Sequence, residues 1–295
     1  MTFRNVARRG RVVRSLAMVV LVAAASAVAA YSTPGAAVAA PRWASAGDAK
    51  IHPGTALKSD AGQCTANFVY TDGGAVFIGA AAHCVGKGAA NETDGCKSGS
   101  NPLGSKVTID GASREGRLVY SSWLTMQSRK ESDSDLCAYN DFALIEVDPA
   151  DVDKVNPSVP RFGGPNGLRS DGLAPGAKVY TFGNSDLRQG VTLLSPKTGI
   201  SVGDGGGGLT HQVTTVTPGV PGDSGSGFLD ADGRAFGVLS TLSLTPIPGT
   251  NGVTDLARAI DYARQHAGEN GDGLDDLELV NGTEGFKTGL GLGII

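Results

Sequence analysis

The sequence predicts an all-β protein with one helix near its end. Three observations carry this. Short apolar runs recur between clusters of turn-forming residues. Glycine is abundant, 44 of 295 residues, but lacks the three-residue period of a collagen, and this suits a chain of many turns. Sustained helical periodicity occurs once: Leu256, Ala259, Ile260 and Ala263 make an apolar face after a capping Thr254 or Asp255, and it runs to about His266 before Gly268.

In chain order, residues 41–50 form a polar, small-residue link. Runs at 65–70 and 75–78 read as a hairpin around Thr71-Asp72-Gly73-Gly74. Residues 106–110 alternate, with Val107 and Ile109 on one face, and 117–121 and 142–147 are further apolar runs. Residues 148–171, rich in proline, glycine and charge, read as a linker between two β-halves. Runs at 177–182, 209–217, 226–230 and 234–242 follow, the last two flanking the turn Asp230-Ala231-Asp232-Gly233. Such strands point to barrels or a sandwich. The glycine-rich stretch 269–295 reads as a solvated tail, because Asp272, Asp275 and Asp276 lack the spacing of a calcium loop.

The N-terminus reads as a secretory signal: five arginines between Arg4 and Arg14, an apolar segment at 15–30 too short for a membrane span, and small-residue cleavage patterns ending near 30 and near 40. Its removal takes the formal net charge from −4 to −9, which argues against a nucleic-acid partner. Four cysteines in an oxidising compartment imply two disulfides, with three connectivities open. Cys64 lies one hairpin upstream of Cys84, so a bridge between them would anchor the turn holding His83, leaving Cys96 for Cys137. No cysteine or histidine cluster has zinc spacing, so no zinc site of that kind is expected.

Three stretches carry chemistry. Pro221-Gly222-Asp223-Ser224-Gly225-Ser226-Gly227 places a serine on a tight turn whose Gly222 and Ser224 N–H groups can converge on one point. By itself the motif also fits an ordinary turn. Ala81-Ala82-His83-Cys84 gives a histidine neighbours small enough to pack closely while its ring projects. Asn140-Asp141-Phe142-Ala143-Leu144 sets an aspartate at the entry of a buried strand, where it needs a donor such as an imidazole N–H. His52, His211 and His266 have no such context and read as structural or exposed.

These motifs, in the order His83, Asp141, Ser224, resemble the chymotrypsin-like (trypsin-fold) serine proteases, and the chain looks closest to their secreted bacterial, actinobacterial-type members. The Cys64–Cys84 pairing and the C-terminal helix match as well, so the resemblance covers roughly residues 51–266. It implies two Greek-key β-barrels, about 51–155 and 170–250, with the site in the cleft between them and a helix at 254–267. It also implies an acyl-enzyme mechanism with His83, Asp141 and Ser224 catalytic, an oxyanion hole of Gly222 and Ser224, and no need of a metal or organic cofactor. The product would be a secreted, extracellular, monomeric endopeptidase acting on polypeptides, with no membrane contact once the signal is gone. A catalytically weak or inactive binding protein of the same fold is the alternative. An esterase of the α/β-hydrolase type fits neither the motif, which gives Ser226 at its last position, nor the residue order.

The resemblance also assigns substrate-binding roles. Pro218, six residues before the serine, falls at the base of the primary pocket, where trypsin-like members carry aspartate. Ser240-Thr241-Leu242 stands where the family has Ser-Trp-Gly, and Leu242 in place of glycine narrows or blocks the pocket. Weak preference for basic residues, and a preference for small or medium apolar ones, is expected. Lys50-Ile51-His52-Pro53-Gly54 faintly matches an activation site whose new Ile51 amine would pair with Asp223.

Overall fold

The structure is a computed structural model that describes residues 40–88, 92–243 and 249–289. The expected signal segment lies outside the described residues. The chain is mostly β, in two halves.

The first half contains β1 (Ala56–Ser59), β2 (Gly62–Thr65), β3 (Val69–Asp72), β4 (Ala75–Ala80), β5 (Lys106–Ile109), β6 (Gly116–Ser121), two short helices α1 (Ser122–Arg129) and α2 (Ser134–Tyr139), and β7 (Ala143–Glu146). The second contains β8 (Lys178–Phe182), β9 (Pro196–Gly205), β10 (Thr210–Val216), β11 (Gly227–Leu229), β12 (Ala235–Ser243), β13 (Thr250–Asp255), the helix α3 (Leu256–His266), and a last strand β14 (Glu278–Leu279) that returns to the first half.

The first sheet runs β14-β3-β4-β7-β6-β5-β1-β2. β2 and β3 sit near opposite ends of this order yet are joined by only Ala66–Asn67–Phe68. Those three residues turn the corner of a barrel. Ala66 bonds back to the β1 side through Thr55 O at 2.8 Å, while Asn67 N donates to Gly79 O at 2.9 Å on the β4 side. The β3–β4 turn is tight because Gly73 and Gly74 both take positive φ, 53° and 91°, as a two-residue hairpin loop requires. Phe68, Tyr70, Ile78, Tyr120, Phe142 and Leu144 fill the interior, with Phe142 edge-on to Tyr70 at 5.6 Å.

The second half is a closed barrel in the order β10-β13-β12-β11-β8-β9, around Val179, Val213, Phe228, Phe236 and Val253. α3 packs behind it, capped by Asp255, which accepts from Arg258 N at 2.8 Å. The same aspartate and Asp204 clamp the buried His211 from both sides, at 3.0 and 2.7 Å. This bolts β9 and β10 to the start of α3. Burial by itself would lower the His211 pKa; the hydrogen bonds and charges of Asp255 and Asp204 raise it above its ordinary value.

The stretch expected to be a solvated tail is a strap. Leu274 and Leu277 are buried, and β14 pairs with β3 through Glu278↔Thr71 and Leu279↔Tyr70. Gly282 N then donates to Pro165 O and Lys287 N to Phe162 O, both at 2.8 Å. Phe286 stacks edge-on against Tyr180 of the second barrel at 5.3 Å. Leu274, Leu277, Leu279, Val280 and Phe286 all pack into or against the main core, but their irregular spacing hides this from periodicity. No helix among the described residues is long and apolar enough to cross a membrane.

If the strap belongs to the core, Leu277→Ala should cost about 2–5 kcal/mol of unfolding free energy in urea titrations. A solvated tail would leave stability within about 0.5 kcal/mol.

Candidate active site

His83 sits in a single 3₁₀ turn, Ala82–Val85, directly after β4. Ala81 and Ala82 are fully buried, and side chains this small let the turn settle against the sheet. The Cys64–Cys84 disulfide pins it to β2, with Cα atoms 6.0 Å apart. It closes a 20-residue separation, a constraint of about 3 kcal/mol in the chain-entropy model. The second bridge, Cys96–Cys137, ties the loop after His83 to α2, which leads into Asp141.

Asp141 is buried and accepts three hydrogen bonds: from His83 N at 2.9 Å, from the His83 ring at Nδ1 at 2.7 Å, and from Ser240 Oγ at 2.6 Å. Facing a carboxylate, Nδ1 must carry the proton, which leaves Nε2 as the free base. Burial would raise the Asp141 pKa, but the His83 charge and the His83 and Ser240 hydrogen bonds hold it below the usual carboxylate value. Burial would likewise lower the His83 pKa, and the Asp141 charge and hydrogen bond reverse this, so it lies above 6.5.

Ser224 stands on the turn between β10 and β11. Gly222 and Gly225 have φ of 94° and 87°. A β-carbon at Gly225 would sit 2.5 Å from the backbone Thr65 O, so that position needs glycine for space as well as conformation, while Gly222 needs it for its positive φ. The first barrel grips this turn. Thr65 N donates to Ser224 O at 2.8 Å, Thr65 Oγ1 to Gly222 O at 2.7 Å, and Gln63 Nε2 to Gly222 O at 3.3 Å. Among the described residues the N–H groups of Gly222 and Ser224 make no hydrogen bond, whereas those of Asp223, Gly225 and Ser226 are all engaged. Ser224 Oγ makes no hydrogen bond to the imidazole either.

Asp223 points inward and is fully buried. Arg188 grips both of its oxygens, Lys197 Nζ a third lone pair, and Val220 N donates at 3.1 Å. Burial would raise its pKa; the Arg188 and Lys197 partners lower it. The slot that an Ile51 amine would need is therefore filled. Ile51 itself is buried, and its N–H donates to Lys154 O at 3.1 Å.

His83, Asp141 and Ser224 line one cleft of about 540 Å³, together with Gly222, Ser240 and Leu242. Leu242 is half-exposed at its rim. Ser240 is both a wall residue and a donor to Asp141. Pro218 is a correction: it is exposed, lies outside the cleft lining, and offers only its carbonyl, to Lys197 Nζ at 3.0 Å. Asn251 of β13, by contrast, lines the cleft. Thr65, Gln63, Arg188, Lys197 and Asn251 went unnoticed in the sequence. Only Gln63 and Thr65 carried a signal, by flanking Cys64.

The family model of the trypsin-like peptidase domain matches residues 64–238, and the chain belongs to that family. No curated protein shows significant sequence similarity to it. Among solved structures it is similar to protease A of Thermobifida fusca (18% identity, 79% of this chain and 99% of that one covered, TM-score 0.48). It is similar also to a Nocardiopsis protease (17%, 78% and 99%, TM-score 0.47) and to a Cellulomonas bogoriensis chymotrypsin (17%, 78% and 98%, TM-score 0.44). The family assignment rests on the domain match.

Lys197→Met should lower unfolding free energy by about 1–3 kcal/mol, because Arg188 still neutralises Asp223. Adding Arg188→Met should cost more than the two single effects together, since it strands a buried carboxylate. Urea denaturation of the three variants checks this.

Proposed function

We propose that the protein is a secreted serine endopeptidase that cleaves peptide bonds through an acyl-enzyme on Ser224. The observation that carries this is one arrangement: His83 held by Asp141 through Nδ1, in the same cleft as Ser224 and the two uncommitted N–H groups of Gly222 and Ser224. Two disulfides and the basic, apolar leader support export to an oxidising compartment.

The residues divide the chemistry as follows. Substrate in the cleft excludes water and draws Ser224 Oγ toward His83 Nε2, a contact that commonly tightens only on binding. Oγ attacks the carbonyl carbon as its proton passes to Nε2. The N–H groups of Gly222 and Ser224 stabilise the oxyanion that forms. Asp141 stabilises the imidazolium and holds the tautomer, and Ser240 in turn fixes the carboxylate. His83 then protonates the departing amine. Water, deprotonated by the same nitrogen, releases the acyl group and restores the serine.

Ser224→Ala should remain folded and secreted but lose hydrolysis and labelling by a serine-directed phosphonate. Asp141→Asn should lower kcat by about 10⁴-fold. Because only neutral His83 accepts the proton, activity should fall as pH drops through its raised pKa, placing the midpoint of the acid limb above 6.5. An unlabelled wild-type protein would instead indicate an inactive binding protein of the same fold.

A further inference from the structure

We infer that Asn251 sets the specificity of this cleft by plugging the slot for the substrate side chain that precedes the scissile bond, so that only small residues are accepted there. The inference rests on the peptidase reading and names its substrate class.

The slot lies between two backbone walls: Gly219–Pro221, leading into the Ser224 turn, and Ser240–Leu242, the end of β12. Asn251 pairs with Leu242 in the β12–β13 register. Its side chain, 1% exposed, spans the gap between the walls. Oδ1 accepts from Gly219 N at 2.9 Å on one side, and Nδ2 donates to Thr241 O at 3.2 Å on the other. The amide thus satisfies a backbone donor and a backbone acceptor together.

Gly219 packs closely against the plug. A methyl group placed there would lie 2.9 Å from Leu239 Cδ2 and 3.0 and 3.1 Å from the Asn251 amide nitrogen and oxygen. Contacts this short are tighter than nearly all real β-carbon contacts, so Gly219, Leu239 and the Asn251 amide are closely packed together where they line the cleft. Leu239, 4% exposed, backs the plug from below. Displacing Asn251 would strand the Gly219 N–H and the Thr241 carbonyl, which makes the plug costly to move. Asn251, Leu239 and Thr241 are all uncharged, so this floor offers no counter-ion to lysine, arginine, aspartate or glutamate. Alanine, glycine and serine fit above it, with Leu242 at the rim supplying apolar contact.

The test is a series of peptide substrates differing only in the residue before the cleaved bond, with active enzyme counted by phosphonate labelling of Ser224. Wild type should cleave after alanine or serine at least about 10-fold faster, in kcat/KM, than after leucine, phenylalanine or lysine, since a misplaced methylene in a closed pocket is worth about 10–200-fold. Asn251→Ala should raise kcat/KM for leucine or phenylalanine at least 10-fold relative to alanine. Asn251→Ser provides the same readout should the alanine variant fold poorly. A labelled wild type that prefers large or charged residues, or variants whose profile does not shift, would overturn the plug while leaving the peptidase reading intact. An unlabelled wild type would remove both.

Discussion

Asp223 is a carboxylate with no access to solvent, one residue from Ser224, the proposed nucleophile. An ion in that position is tolerable only if it is neutralised and every lone pair is used. The chain meets this demand with two cations from one neighbouring region: Arg188, just beyond β8, and Lys197, the second residue of β9. Their grip reaches further than charge balance. Lys197 also holds Pro218 O, so the start and the centre of the serine turn hang from one ammonium. A carboxylate buried here would otherwise twist the turn outward toward water, carrying the Gly222 and Ser224 N–H groups with it. Both partners come from within the folded chain, so the turn has its shape without a freed N-terminus.

The second dependency is between the two halves. The histidine and aspartate come from the first barrel and the serine from the second, yet the contacts that align them cross in both directions. Thr65 of the first holds Gly222 and Ser224 of the second, and Ser240 of the second holds Asp141 of the first. The Asp141 carboxylate that holds His83 is fixed from one side, and the Ser224 turn is placed from the other. A small rotation between barrels would disturb both at once, which is why the strap from β14 to Phe286, lying across β3, the connecting segment and Tyr180, bears on the site although it never enters the cleft.

Much of the fold was legible in the sequence because its signals were local. The hairpin at Gly73–Gly74, the apolar strands β4, β7, β8 and β12, and the capped helix α3 each announce themselves within a few residues. The cleft positions of His83, Asp141 and Ser224 had local signals too: small residues beside His83 and Ser224, and for Asp141 an acid set at the entry of an apolar strand. What escaped depends on partners distant in sequence. β9 reads backwards, since Ile200 and Val202 face solvent while Lys197 and Ser201 face inward. β13, Thr-Asn-Gly-Val-Thr-Asp, is polar enough to read as a loop but is buried throughout by neighbours on both sides. Pro218 was assigned to the pocket base by counting back from the serine. Counting along one strand of chain takes no account of residues such as Asn251, which reaches the cleft lining from β13.

The strap also governs when the molecule can be complete. β3 is formed by residues near the start of the domain, but its outer edge stays open until Glu278 and Leu279 arrive from near the end. An unpaired edge invites pairing with other chains. While synthesis proceeds from the N-terminus, the first barrel can close its corner and both disulfides yet must carry that open edge until almost the whole chain has emerged. Pairing across so long a sequence separation is slow. A late step of assembly is therefore the one that covers this part of the β3 edge, and a chain cut short before residue 278 would leave Tyr70 and Thr71 unpaired on that side.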